Sequence, residues 1–128
     1  MNNNKTMKDK TEERISVRRD ILDTFRIFLT MPHLGSRKIT IIDLSRNGIS
    51  FESEPGMQLI ESSSLECYLH LNESIRIPLN ITVVHLAEDC GYIRAGCEIT
   101  DQKSSAFKAY RNFVELLMSL SEFKKNAD

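Results

Sequence analysis

A chain of 128 residues, with 41% hydrophobic and 27% charged side chains, has the balance of one soluble globular domain and too little length for two independent cores. Its net charge of -1, from 17 basic and 18 acidic residues, excludes the basic surplus of a general nucleic-acid binder, while leaving room for a local basic cluster. The 3 cysteines form no CxxC, the N-terminus MNNNKTMKDKTEER has no apolar core, and no run nears the roughly 18–20 apolar residues of a membrane span; these exclude a secreted disulfide scaffold, a signal peptide and a transmembrane segment, and point to the cytoplasm.

Residues 1–12 are polar and aperiodic and read as a flexible tail ahead of a domain spanning 13–122. From Asp23 the pattern has period two: Phe25, Ile27 and Leu29 alternate with Thr24, Arg26 and Thr30, which predicts a half-buried first strand. A turn at Pro32-His33-Leu34-Gly35 leads to a β-branched run, Lys38 to Leu44. Arg46-Asn47-Gly48 is a further turn, and Ile49-Ser50-Phe51 resumes an extended segment. After Pro55-Gly56, Leu65, Cys67, Leu69 and Leu71 line one face of a strand. Asn72-Glu73-Ser74 connects it to Ile75, Ile77, Leu79, Ile81 and Val83, again at spacing two. Pro78 falls on the outward set, so this strand is expected to be at an edge or bulged there. Glu88 to Gly91 turns the chain into Ile93, Ala95, Cys97 and Ile99. About six short strands between about 23 and 100, at turn spacings of roughly 8–12 residues, signal a small antiparallel barrel or sandwich.

The last segment, about 104–122, is helical in period. Phe107, Tyr110, Val114 and Leu117 recur at three and four, with Phe113, Leu116 and Leu120 as an adjacent stripe and Asp101 or Ser104 placed to cap the start. One stripe suffices to dock a helix. The second either helps it straddle the open end of the barrel or remains for another chain.

Two short patterns carry chemistry. Arg14-Ile15-Ser16-Val17-Arg18 is an RxxxR followed by Arg19, and Asp43-Leu44-Ser45-Arg46-Asn47-Gly48 is a DxSxxG at the end of the second strand. Arg18 and Asp43 are 25 positions apart, enough for two strands and a turn to bring them back together. Arginine presents a planar fork of donors to phosphate oxygens or to guanine O6 and N7, and its flat cation stacks on a base. The two oxygens of an aspartate match the adjacent N–H donors of guanine's Watson–Crick edge. Serine adds a hydroxyl, and glycine permits close backbone approach or a positive φ. Each motif alone is a common charge cluster or turn; together they point to a guanine nucleotide.

In this order, separation and strand context, the chain resembles the PilZ domains, whose signature is RxxxR followed some 20 to 30 residues later by [DN]xSxxG. Ile81-Thr82-Val83-Val84-His85 and Tyr92-Ile93-Arg94-Ala95-Gly96-Cys97-Glu98-Ile99 are similar to the family's late strand pair, and a helix after the barrel is typical. The resemblance covers about residues 12–122. It implies an all-β fold with a C-terminal helix, a six-stranded antiparallel barrel, and binding of cyclic di-GMP under an N-terminal arginine segment. Carried over by position, Arg14 and Arg18 grip phosphate and guanine, Asp43 and Ser45 read a guanine, Gly48 shapes the turn, and Arg19 is an additional candidate. Many members carry one more arginine before the RxxxR; here Glu13 stands there, and its charge disfavours a stacked ligand dimer.

The expected function is a bacterial second-messenger receptor that is not an enzyme and uses no cofactor or metal. Ligand would order residues 10–20 and so act in trans on a protein partner, with the C-terminal helix as the contact or as a homodimer surface; family outputs include motility, pili, secretion and exopolysaccharide control. The alternative is a PilZ-fold scaffold that binds a protein without sensing nucleotide. A zinc site at Cys67, His70, His85 and Cys90 is disfavoured, because Cys67 and His70 are an odd number apart and face opposite sides of a strand. A single-stranded RNA barrel lacks its aromatic platform, as there is no Trp.

Overall fold

The computed structural model describes residues 17, 19–54 and 56–127. The elements run α1 (Arg19–Thr24), β1 (Phe28–Thr30), a 3-10 turn (Pro32–Leu34), β2 (Ile41–Leu44), β3 (Gly48–Ser53), β4 (Ser64–His70), β5 (Arg76–Asp89), β6 (Tyr92–Ile99) and α2 (Ser105–Ala127). The six strands pair antiparallel in the order β1-β4-β5-β6-β3-β2. The two outer strands then meet: Leu29 and Ile39 exchange backbone hydrogen bonds of 3.2 and 2.8 Å, which nearly closes the sheet into a barrel. The expected six-stranded barrel with a C-terminal helix is what the chain forms.

Alternation explains the core. Cys67 and Leu69 of β4, Ile77, Leu79, Ile81 and Val83 of β5, and Ala95, Cys97 and Ile99 of β6 all point inward and are buried. On α2 the stripe Phe107, Tyr110, Val114 and Leu117 closes onto this core, each no more than 5% exposed. Burial of such a side chain contributes about 1.5–3 kcal/mol. The neighbouring stripe is partly taken up: Phe113 and Leu120 pack half-buried against the core, and Leu116 is 55% exposed. Among the described residues, no helix is long and apolar enough to cross a membrane.

The chain departs from its sequence pattern in two places, at residues 19–28 and at a bulge in β5. Residues 19–24 are helical, and the first strand is confined to Phe28–Thr30. Ile21 and Leu22 are buried in α1, whereas Phe25, read as inward, is 46% exposed. The helix ends with Arg26 at φ 57°, its N–H on the Asp23 carbonyl and that of Ile27 on the Leu22 carbonyl; these are the reciprocal bonds of a left-handed helix stop. Pro78 lies where β5 has β4 alongside but has run beyond the end of β6, whose pairing begins at Ile81↔Ile99, so the strand is locally an edge. The bulge falls instead between Val83 and His85, with Val84 the extra residue, and it moves the inward set of β5 from odd to even numbers: Leu86 lies opposite the buried Ala95. The β5–β6 hairpin turns on Cys90 and Gly91, at φ 49° and 88°, a two-residue turn with both central residues left-handed.

Candidate functional site

The DxSxxG segment runs from the end of β2 into β3. Ile41 is inward, and plain alternation would carry Asp43 inward as well. A bulge intervenes: Ile41 pairs with Phe51 and Asp43 with Ser50, leaving Ile42 as the extra residue. Asp43 therefore faces out and Leu44 is buried. Asp43, Ser45, Gly48, Ser50, His85 and Gly96 line an open cleft of about 340 Å³ on the outer surface of the barrel. Both bulges flank it, one turning Asp43 outward and the other placing His85 beside Gly96.

The Asp43 carboxylate already has partners. Arg94 donates Nη2 to Oδ2 at 3.2 Å, and Ser50 hydrogen-bonds to the carboxylate as well. Burial nevertheless dominates and holds the Asp43 carboxyl above the usual carboxylate range, against the pull of the Arg94 charge and the Ser50 bond. Gly96 leaves the floor of the cleft flat; a Cβ there would meet only ordinary contacts, the nearest 3.8 Å away at His85. Carboxylate, serine hydroxyls and a bare glycine backbone together suit a planar heterocycle with an N–H edge.

The turn beneath is braced from inside. Ser45 donates its backbone N–H to the Gly48 carbonyl at 3.0 Å and its hydroxyl to the same oxygen at 3.3 Å. The hydroxyl of Tyr110, from α2, stands 2.7 Å from the Ser45 carbonyl and 2.8 Å from that of Gly48 and shares its proton between them. Burial, the larger effect, raises the Tyr110 pKa well above the ordinary phenol range, so the group stays a donor. Gly48 is not left-handed. Its need is close approach, since a Cβ would stand 2.6 Å from the Cys97 carbonyl oxygen of β6.

Arg14 and Arg18 lie outside the described residues. Val17, between them, is described: its N–H donates to the Leu44 carbonyl at 2.7 Å and it receives the Leu44 N–H at 3.4 Å. The RxxxR segment therefore meets the DxSxxG segment at the residue that separates Asp43 from Ser45. Arg19, the additional candidate, is instead bound to Glu52 at 2.9 Å, with Asp23 at 3.9 Å. Glu52 is in register opposite Arg94, so these charges form a row leading to Asp43. Sequence reasoning missed Arg94, Ser50 and His85 as site residues. Only Gly96 gave a local signal, as a glycine inside a strand. Cys67 is buried and His70 faces outward, bonded to Thr30 Oγ1 at 2.8 Å, and no three potential metal ligands cluster among the described residues.

Comparison with known proteins gives both sequence and structural matches. YcgR of Escherichia coli, solved in complex with c-di-GMP, superposes with TM-score 0.62 at 12% identity over 79% of this chain and 44% of its own, so the chain spans under half of that protein. The isolated PilZ domain of YcgR with c-di-GMP gives 0.63 at 12% identity, over 78% and 86% of the two chains. The Bacillus subtilis inhibitor of motility (MotI/DgrA) gives 0.54 at 14%, over 69% and 43%. At these identities the likeness is one of fold. No curated protein matches the sequence significantly. A family model described as PilZ domain matches residues 12–116, which takes in both motifs, the whole barrel and the first half of α2, and the chain therefore belongs to the PilZ domain family.

Proposed function

We propose that this chain is a cyclic di-GMP receptor whose nucleotide lies in the cleft at Asp43, Ser45 and Gly96, with Arg14 and Arg18 closing over it. The observation that carries the reading is the Val17–Leu44 pairing, which joins the two motifs at one point on the barrel. Asp43 accepts the Watson–Crick N–H groups of one guanine, and Ser45 turns its hydroxyl from the Gly48 carbonyl to the ligand. That release is inexpensive, because the carbonyl keeps the Ser45 amide and Tyr110 as donors. Gly48 contributes backbone shape rather than a contact. Family membership and the nucleotide-bound E. coli relatives support the choice of ligand. Ligand binding acts on the arginine segment ahead of Val17, since Val17 and residues 19–20 are already held on the barrel without it, and so changes the surface offered to a protein partner, and Glu13 favours one nucleotide per site over a stacked pair.

Calorimetric titration with cyclic di-GMP, alongside GMP and cyclic GMP, tests the reading. Cyclic di-GMP should bind with a stoichiometry near one, the two mononucleotides far more weakly. Arg14→Ala and Asp43→Ala should each weaken binding by about 10- to 100-fold, the cost of losing hydrogen bonds to a charged group. Absence of heat with the wild-type protein at tens of micromolar would sink the proposal. Partner capture that ignores nucleotide and both substitutions would establish the constitutive scaffold instead.

A further inference from the structure

The cleft and the C-terminal helix are joined by two polar contacts between segments distant in sequence. Tyr110 Oη of α2 lies within hydrogen-bond distance of the carbonyls of both Ser45 and Gly48, the first and last residues of the turn that carries the candidate guanine-reading serine. Five residues further along the helix, Glu115 Oε2 accepts a bond from Arg46 Nε at 3.2 Å, inside that same β-turn. Tyr110 is fully buried, so its hydroxyl has no water to fall back on and the two carbonyls are the acceptors it has. Arg46 and Glu115 are partly exposed, at 38% and 55% of their side chains, and add orientation more than strength.

A core tyrosine in this position could pack as well without its hydroxyl. What the hydroxyl adds is a fixed distance between two carbonyls that the Ser45–Gly48 turn would otherwise set alone. The Gly48 carbonyl is also the resting acceptor of the Ser45 hydroxyl, so a ligand that draws this hydroxyl away changes the load on the oxygen Tyr110 shares.

We propose that Tyr110 is a positioning residue for the nucleotide-reading turn and that, with the Arg46–Glu115 pair, it couples occupancy of the cleft to the seating of α2. This rests on the receptor reading for the identity of the ligand, but not for the existence of the brace. Because coupling between two sites is reciprocal, whatever engages α2 changes nucleotide affinity by the same factor that nucleotide changes its affinity for α2.

The test uses the full chain as wild type, Tyr110→Phe and Glu115→Gln, with calorimetry and amide hydrogen exchange, each with and without cyclic di-GMP. Tyr110→Phe should exchange the Ser45 amide faster in the absence of ligand and bind cyclic di-GMP about five- to tenfold more weakly. In wild type, ligand should slow exchange at the turn and also along residues 108–117. In Tyr110→Phe the slowing should persist at the turn and vanish in the helix, which loss of core packing alone would not produce. Glu115→Gln, an exposed change that leaves the core intact, should reduce the helix response and serves if the tyrosine variant does not fold. Unchanged Ser45 exchange in Tyr110→Phe, or an undiminished helix response in Glu115→Gln, overturns the proposal while the receptor reading stands. If wild type does not bind cyclic di-GMP, the receptor reading and the ligand response fall together, and the ligand-free exchange at Ser45 alone decides whether Tyr110 holds the turn.

Discussion

Gly48 shows how one residue ties a turn to a sheet. The atom a Cβ would strike, 2.6 Å away, is the Cys97 carbonyl, which is backbone and cannot swing aside as a side chain would. Gly48→Ala must therefore push β3 away from β6 where the two pair at Gly48↔Glu98. The expected cost is about 1–3 kcal/mol, as for other overpacked sites, read as a lower urea midpoint with an unchanged slope. At this scale the site was partly legible. Arg14, Arg18, Asp43, Ser45 and Gly48 stand in a spaced pattern whose residue types suit a guanine nucleotide. Arg94 was not legible, because only the adjacency of β2, β3 and β6 sets it 3.2 Å from a carboxylate 51 residues away in sequence. Nor was the partner of Arg19 legible: its place beside the motif suggested a ligand contact, and in the folded chain it pairs with Glu52 of β3.

Among the elements, α2 has the most sharply set beginning. It starts where Ser104 Oγ accepts the Phe107 N–H at 3.0 Å, so Ser104 rather than Asp101 caps it. Ser104→Ala should cost about 1 kcal/mol, measured by urea or thermal unfolding, with the strands unchanged in the far-ultraviolet spectrum. The helix was legible because its apolar residues keep a 3.6-residue period over several turns, and β4 because its alternation is unbroken from Leu65 to Leu71. Helix α1 was not, because 6 residues are less than two turns and cannot display a period. Its hold on the fold is tertiary, through buried Ile21 and Leu22. Phe25, just past the end of that helix, chanced to continue the alternation of Ile27 and Leu29.

For the whole molecule, buried ionisable groups link stability to pH. Burial, the main effect, pushes the thiols of Cys67 and Cys97 from 9.0 up to about 12, so the folded state holds both protons where the unfolded chain loses them. A folded-state pKa above the unfolded value means that stability is fully present below pH 9 and declines as pH rises from 9 towards 12. Tyr110, likewise raised, acts in the same direction from pH 10 upward. Urea midpoints should accordingly be level between pH 7 and 9 and fall in stronger alkali, and Cys67→Ala or Cys97→Ala should flatten that fall even though each lowers the midpoint itself. A small antiparallel barrel or sandwich was legible at this scale from strand number and spacing, and the family resemblance chose the barrel; the closure itself was not legible, since among the described residues it rests on the pairing of Leu29 with Ile39.

The bulge in β5 has a consequence for how the strand can change in length. A strand written in strict alternation from Ile77 would send His85 into the core and Leu86 into water. Val84 is the spare letter that prevents this, exposed at 56% and paired with nothing opposite. Losing it would keep every inward residue of β5 in phase, from Ile77 through Val83 to Leu86. Only the kink beside His85 and Gly96 would go, so such a deletion would spare the barrel and flatten the wall of its cleft.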